Sequence, residues 1–317
     1  MKKNILLLSI FILFPLAMLW ADQLFYVSFA SRVMIYAIAA TSLNLVLGYG
    51  GMISFGHAAF VGTGAYVGSI LVAEGVTSAL VGWPAAIAVS ALAAWLIGAI
   101  SLRTRGVYFI MITLAFAQMM FYLVNSMKAY GGDEGLTLRQ RPSLIVDLGG
   151  EVIFYYVVLF ILALTLFLLY RLMRSRFGRV VVAIRENEAR AEAIGFPVYR
   201  YKLACFVIAG AVGGLAGALI ANQSSYVSPS LLHWIQSGTL MIMVILGGVG
   251  TLWGGLIGAA VLLLLEHLIS DYRIGWLAAL APNYQDHAGL AVGIVLLTIV
   301  MLAPEGIAGL FRRRRHA

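Results

Sequence analysis

The stretch SLNLVLGYGGMISFGHAAFVGTGAY (Ser42–Tyr66) joins two apolar runs through the glycine break Tyr49–Gly51. A second break, GGVGT (Gly247–Thr251), interrupts the apolar sequence in the same way further along the chain. Apolar runs of about 17–25 residues are typical of membrane-spanning helices. Irregular backbone at membrane depth is tolerated only where protein shields it. The two breaks therefore predict membrane elements that are broken or re-entrant.

The composition excludes an ordinary water-soluble domain. The 317 residues are 62% hydrophobic and 11% charged, whereas about a quarter of the residues in soluble proteins are charged. The single cysteine, Cys205, lies inside an apolar run, so the sequence predicts no internal disulfide and no metal site. The net charge of +8 is spread between apolar runs rather than gathered in a patch, which does not favour binding to nucleic acid.

The apolar residues fall into ten candidate segments. These are Ile5–Trp20, Val33–Leu47, Phe55–Ala73, Trp83–Leu102, Val107–Met127, Val152–Met173, Leu203–Ala221, Trp234–Leu246, Trp253–Ile269 and Ala288–Leu302. Each pair joined by a glycine break can be two crossings or one broken element. We therefore predict an all-α, polytopic transmembrane bundle of about 8–10 spans that forms one domain over residues 1–317 and is surrounded by lipid. The opening residues fit either a cleaved signal peptide or an uncleaved first span.

The positions of the basic residues predict the orientation of the chain. With a cytoplasmic N-terminus, the inner side collects most lysines and arginines, including the cluster from Arg171 to Lys202 and the basic tail, residues 303–317. Cytoplasmic loops of membrane proteins carry this excess of positive charge. We expect both termini and residues 175–200 to be cytoplasmic and the loop of residues 128–151 to be periplasmic, in a bacterial inner membrane.

Small residues recur at positions where helices would pack closely. Spacing of four residues between small side chains lets backbones approach one another in lipid. The glycines that we assign to helix packing or to breaks are Gly50, Gly51, Gly56, Gly62, Gly64, Gly210, Gly214, Gly247 and Gly248.

A short charged segment interrupts the apolar sequence at residues 183–200, which we call the coupling segment. Six of the eight residues from Arg185 to Glu192 are Arg, Glu or Asn. Apolar positions recur at helical spacing from Arg179 to Ile194 and predict one amphipathic helix. Gly195 is placed for a left-handed C-cap, and Pro197 prevents continuation. Small residues with mixed charges suit a protein groove better than a lipid surface, although a solvated loop helix remains the alternative.

Two stretches resemble the LivM-type permeases of bacterial ABC importers for branched-chain amino acids. They are Ser42–Tyr66, quoted above, and RENEARAEAIGFPVYRYKLACFVIAGAVGGLAGAL, which begins at Arg185. The resemblance implies a permease subunit that works with a second related permease, two cytoplasmic ATPases and a periplasmic substrate-binding protein. It implies that the coupling segment docks on an ATPase. The residues assigned to that contact are Arg185, Glu186, Glu188, Ala189, Ala191, Glu192 and Gly195.

The match to the general importer motif is incomplete. That motif reads Glu-Ala-Ala, three further residues and Gly, whereas Glu188 precedes Gly195 by seven positions and Arg190 replaces the second alanine. None of the lysines follows a glycine, so the chain lacks the phosphate-binding loop GxxxxGK[ST]. We therefore expect no cofactor on this chain and ATP bound by partner subunits.

Three polar residues within the apolar segments are candidates for the translocation path, namely Asn44, His57 and Gln118. Polar groups inside membranes usually face protein or a water-filled path, so hydrogen bonding between helices is the alternative role for each. Relatives of this family carry urea or short amides, which is a second possible substrate class. An ion-coupled transporter or a channel usually embeds acidic residues in its spans, and here Glu266 is the candidate for that role. The sequence contains neither HExxH nor GxSxG, which argues against an enzyme.

Overall fold

The computed structural model describes residues 14–15, 18, 23–138, 141–143, 148–271, 288–303 and 306–313. The structure is 80% helical and 2% strand, so the prediction of an all-α bundle is confirmed. The twelve helices that we number in chain order are α1 (Leu24–Asn44), α2 (His57–Ala73), α3 (Ala79–Ser101), α4 (Val107–Asn125), α5 (Glu151–Arg174), α6 (Arg176–Glu186), α7 (Glu188–Ala193), α8 (Val198–Ser224), α9 (Trp234–Gly247), α10 (Gly254–Asp271), α11 (Ala288–Leu302) and α12 (Gly306–Arg313).

Each predicted apolar segment from Val33–Leu47 onward corresponds to a helix. The segment Leu203–Ala221, for example, is the central part of α8. The first segment, Ile5–Trp20, lies almost entirely outside the described residues, and so does the question of a signal peptide. Among the residues described, five helical stretches are long and apolar enough to cross a membrane, and they are Leu24–Tyr49, α3, α4, α5 and α8. Large apolar side chains cover much of the outer surface, including Phe160 and Leu297, which are 67% and 63% exposed.

Two shorter apolar helices, α2 and α9, each come directly after a stretch of irregular backbone that enters the bundle. After α1 the chain makes a π-helical turn at Leu45–Tyr49 and then runs without helix to Gly56. The 17 residues of α2 span only about 25 Å, less than the ~30 Å thickness of a bilayer core. Its start lies inside the bundle, because a Cβ on Gly56 would approach the Thr113 carbonyl oxygen to 2.8 Å. A 3₁₀ turn at Pro229–Leu232 likewise precedes the 14-residue helix α9.

The centre of the bundle is packed backbone to backbone. A Cβ on Gly64 would lie 2.0 Å from the carbonyl oxygen of Gly214, so α2 and α8 touch without side chains between them. On its other side Gly214 faces Ser90 of α3, whose Oγ would be 2.3 Å from a Cβ there. Gly210 meets Ala94, and Gly62 meets Leu232, at similarly short range. The largest cluster of buried apolar side chains joins α1, α5, α8, α9 and α10 around this centre.

The loops gather at two opposite ends of the bundle. At one, the strand end, β1 (Leu136–Thr137) pairs antiparallel with β2 (Tyr226–Val227). At the other, the break end, the two glycine breaks lie beside the coupling segment, since the Arg185 side chain contacts Gly51 and Gly250. If successive segments cross the membrane in alternating directions from a cytoplasmic N-terminus, both breaks and the coupling segment are expected together on the cytoplasmic side.

The prediction of a single amphipathic helix from Arg179 to Ile194 is wrong. The chain leaves helical geometry at Asn187, with φ −156° and ψ 100°, and this separates α6 from α7. The Asn187 side chain accepts a hydrogen bond from the Arg190 amide at 2.9 Å. Asparagine is a preferred N-cap residue, so Asn187 begins a new helix where the apolar spacing alone predicts continuity.

Candidate functional site

The coupling segment folds against its own chain through a small apolar cluster. Val180, Ile184, Ala191 and Val198 are buried together, with Tyr201 packed against them. Ala191 is 4% exposed, so its assignment as a contact surface for a partner is incorrect. The predicted apolar stripe faces inward at Val180, Ile184 and Ala191 and therefore fixes the position of α7 on α6 and α8.

Glu188 is also engaged within the chain. Lys202 Nζ lies 2.6 Å from Glu188 Oε2, and Arg105 Nη2 lies 3.4 Å from Glu188 Oε1. Arg105 is 76% exposed, so its ion pair with Glu188 contributes little to stability. Lys202 is only 19% exposed. The pairing with Lys202 ties the start of α7 to α8. The Glu188 carboxylate is 29% exposed and already pairs with two cations of this chain, and its assignment to the ATPase contact stays a prediction.

Arg185 is exposed, but its side chain reaches the backbone beside the first break. Its guanidinium donates a hydrogen bond to the carbonyl oxygen of Gly48, and its side chain packs on Gly51. The sequence assigned Arg185 to a partner surface, and in the structure its hydrogen-bond partner is Gly48, directly before the first break.

The remaining assigned residues form an exposed face, which we call the docking face. Glu186, Ala189, Glu192 and Gly195 are all exposed. Gly195 has φ +95° and ends α7, as the C-cap prediction requires. The apolar residues Ile194 and Phe196 extend the face, and they are 69% and 37% exposed. Sequence reasoning placed Ile194 on the inward stripe and missed its exposure, because the stripe was extended across Asn187.

Asn44 and His57, two of the three path candidates, are fully buried in the bundle. Asn44 is 0% exposed, and its amide bonds to Gly250 and Thr251 in the second break. His57 is also 0% exposed, and its Nε2 lies 2.7 Å from Ser42 Oγ. His57 therefore makes the helix-to-helix hydrogen bond that the sequence left as the alternative, whereas Asn44 bonds the end of α1 to the second break. A role in lining the path stays a prediction for each.

Gln118 is partly exposed and lies beside a residue that sequence reasoning missed. Its Nε2 is 3.3 Å from Nε2 of His233, which caps the start of α9. Nearby, Ser237 Oγ accepts a hydrogen bond from the Ala58 amide at 2.8 Å and so helps to hold the start of α2. Ser237 lies within the predicted segment Trp234–Leu246 and His233 directly before it, but the partners of both are distant in sequence.

A cavity of about 610 Å³ opens near the strand end. It is lined by Phe25, Phe29, Arg32, Gln223, Glu266 and His267, among others. Glu266 thus faces a cavity near one end of the bundle rather than its middle, which weakens its assignment to ion coupling. Within the described part of the chain, no group of three or more His, Cys, Asp and Glu side chains could hold a metal ion.

Broken helices, an apolar outer surface and a charged segment seated on one end together define a multi-pass membrane protein. A family model described as "Branched-chain amino acid transport system / permease component" matches residues 25–303. The chain belongs to this family.

Individual relatives agree with the family model. The chain is 29% identical over 314 residues to the high-affinity branched-chain amino acid transport system permease protein LivM of Salmonella typhimurium, which covers 90% of this chain and 70% of that protein. It is 26% identical to the permease protein LivH of Escherichia coli, with 86% and 91% of the two chains covered. A probable LivM of Methanocaldococcus jannaschii is 25% identical over 86% of this chain and 90% of its own. These relatives are named as transport permeases and not as enzymes. No solved structure shows a significant match to the chain.

Proposed function

We propose that this chain is one of two related permease subunits of an ATP-driven importer of branched-chain amino acids. Its break end faces the cytoplasm, where the docking face binds an ATPase subunit, and its strand end faces a periplasmic substrate-binding protein. The membrane is the bacterial inner membrane.

The observation that carries the proposal is the construction of the coupling segment. Its inner side is fixed by the Ala191 cluster and by the pair of Glu188 with Lys202. Its outer side presents the exposed Ile194 with carboxylates at Glu186 and Glu192. An exposed apolar side chain on a rigid, charged rim is typical of a protein interface. No other described element covers this face, which leaves it for another subunit.

The second permease is supported by the relatives and by α4. The similar proteins carry two names, LivM and LivH, and each name describes a permease of a branched-chain amino acid transport system. The outward face of α4 is strongly apolar, with Tyr108, Met111 and Tyr122 each at least 64% exposed. A face of this kind suits either lipid or a helical partner. The same helix also carries Gln118, the path candidate that lies beside His233.

Energy must then come from another chain. The sequence has no phosphate-binding loop, so ATP is bound by the partner ATPases and this chain carries no cofactor. Substrate capture belongs to the binding protein, so the permease path needs no tight site of its own.

Purification and reconstitution test the proposal directly. The chain co-expressed with its neighbouring permease and ATPase subunits should purify as one complex. In liposomes with the binding protein, the complex should take up leucine, isoleucine or valine only when ATP is inside. The chain reconstituted alone should neither hydrolyse ATP nor transport. Robust uptake by the chain alone would instead establish a secondary transporter, and competition of uptake by urea or acetamide would move the substrate to that class.

A further inference from the structure

The two glycine breaks, far apart in sequence, meet inside the break end. A Cβ on Gly48 would lie 2.4 Å from the amide nitrogen and 2.8 Å from the Cα of Gly250. The backbones at the ends of α1 and α9 are therefore in direct contact. Any movement of one break must displace the other or open this contact.

Asn44 holds the two breaks together from within. Its Oδ1 accepts a hydrogen bond from the Gly250 amide at 2.9 Å, and its Nδ2 donates to the Thr251 carbonyl at 2.7 Å. Because the side chain is fully buried, water does not compete for these bonds, and losing them would leave buried polar groups unsatisfied. The breaks form one hydrogen-bonded unit, which we call the break junction (Asn44, Gly48–Gly51 and Gly248–Thr251).

Arg185 reaches the break junction from the coupling segment. Its guanidinium donates to the Gly48 carbonyl, and its Nη1 would lie 3.2 Å from a Cβ on Gly250. Its Cγ would lie 2.8 Å from a Cβ on Gly51. Gly51 and Gly250 have φ of +67° and +74°, so glycine both permits these turns and leaves room for the arginine. A single side chain of α6 thus touches both breaks.

Electrostatics favours this position for a cation. The last carbonyl groups of a helix lack partners within the helix and carry partial negative charge. Gly48 lies in the final turn of the α1 continuation at Leu45–Tyr49, so the Arg185 guanidinium caps that terminus. Arginine is suited to the site because its planar group can reach two backbone segments at once.

The geometry points to Arg185 as a positioning residue that transmits displacement of the coupling segment to the ends of α1 and α9. The inference rests on the proposed function, because the displacement is the one that the ATPases impose on the docking face. α7 is fixed to α6 through the Ala191 cluster, so a push on α7 moves α6 and carries Arg185 with it. The movement of Arg185 then either displaces the break junction or separates it from α6.

The test is the ratio of amino acid transported to ATP hydrolysed, measured on the reconstituted full complex with its binding protein. In Arg185→Gln, the ATPase subunits should still co-purify and basal ATP hydrolysis should persist. The ratio should fall by roughly 2- to 30-fold, the range expected when a coupling residue is removed. Arg185→Lys keeps the charge but loses the planar group, and its ratio should fall between those of the parent and the glutamine variant. Arg179→Gln is the matched control, since Arg179 is exposed on the same helix and should leave the ratio unchanged.

Each contrary result has a distinct meaning. A parental ratio in Arg185→Gln overturns the inference, and so does loss of the ATPase subunits, which would make Arg185 a subunit contact. If the glutamine variant does not accumulate in the membrane, the lysine variant decides by the same ratio, and a parental value there overturns the inference. Failure of the unaltered complex to bind ATPases or to transport would contradict the proposed function itself, independently of Arg185.

Discussion

Gly195 shows how a single residue sets the shape of the docking face. Its φ of +95° lies in the left-handed region, and nothing lies within 4 Å of where a Cβ would be. The position therefore excludes other residues by backbone strain and not by crowding. It ends α7 and turns Ile194 and Phe196 outward as the exposed apolar edge of the face.

Gly195→Val should weaken binding of the ATPase subunits while the protein still inserts at near-normal levels. A left-handed conformation costs an ordinary residue about 1–2 kcal/mol, and a β-branched residue tolerates it least. Gly195→Asn is the matched control, since asparagine adopts positive φ more often than most other non-glycine residues. Co-purification of the ATPases, normalised to the amount of permease, measures the effect. Equal binding by the valine and asparagine variants would contradict the strain argument.

Ala189→Trp tests the docking face separately from the buried Ala191. Ala189 is exposed, so a large side chain leaves this chain folded and obstructs a close-fitting partner. We expect reduced co-purification of the ATPases and reduced uptake. Ala191→Trp, in contrast, overfills the cluster of Val180, Ile184 and Val198 and should destabilise the segment itself by about 1–3 kcal/mol. Thr137→Trp, at the strand end, should leave co-purification of the ATPases unchanged. Parental binding by Ala189→Trp would make the segment a solvated loop.

At the scale of elements, the break between α6 and α7 determines which residues face inward. α7 contains only six residues, and helices this short are not stable without tertiary contacts and caps. Its support comes from Asn187 at the start, the Glu188–Lys202 pair and the burial of Ala191.

Asn187→Ala should therefore loosen α7 selectively. Removing an N-cap side chain costs about 1 kcal/mol, which is a large share of the stability of so short a helix. Hydrogen–deuterium exchange should become faster in peptides that cover residues 188–193 and remain unchanged in the body of α8. Asn187→Asp keeps a capping oxygen and should exchange like the parent. Unchanged exchange in the alanine variant would show that the buried contacts alone hold α7.

The sequence predicted helices well and their long-range contacts poorly. Apolar runs identified the helices because a helix that crosses a bilayer needs a long apolar stretch. Glycine spacing indicated that helices pack closely, but it did not identify the contact of Gly64 with Gly214. The side-chain directions of Arg185 and Glu188 depend on Gly48 and Lys202, which periodicity along one helix cannot reveal. Asn187 was visible as a good capping residue, but the regular stripe on both sides of it favoured one helix.

At the scale of the whole molecule, the separation of the break end from the strand end makes the orientation testable. Thr137 and Ala193 lie at opposite ends, and both are exposed. Single cysteines at Thr137 and Ala193 in a Cys205→Ala background should label oppositely with an impermeant maleimide on intact cells. Thr137→Cys should react from outside, and Ala193→Cys only after permeabilisation. Labelling of Ala193→Cys on intact cells would reverse the proposed orientation.

The backbone contact of Gly64 with Gly214 has a consequence for genetics. Any side chain at either position would have to displace a neighbouring helix, because even a methyl group would lie about 2.0–2.3 Å from existing atoms. Random mutations there should appear as loss of the protein from the membrane, whatever assay is used. A selection for variants that hydrolyse ATP without importing substrate should therefore recover nothing from this contact. Its survivors should map instead to the break end, where the exposed residues of the coupling segment leave room for change.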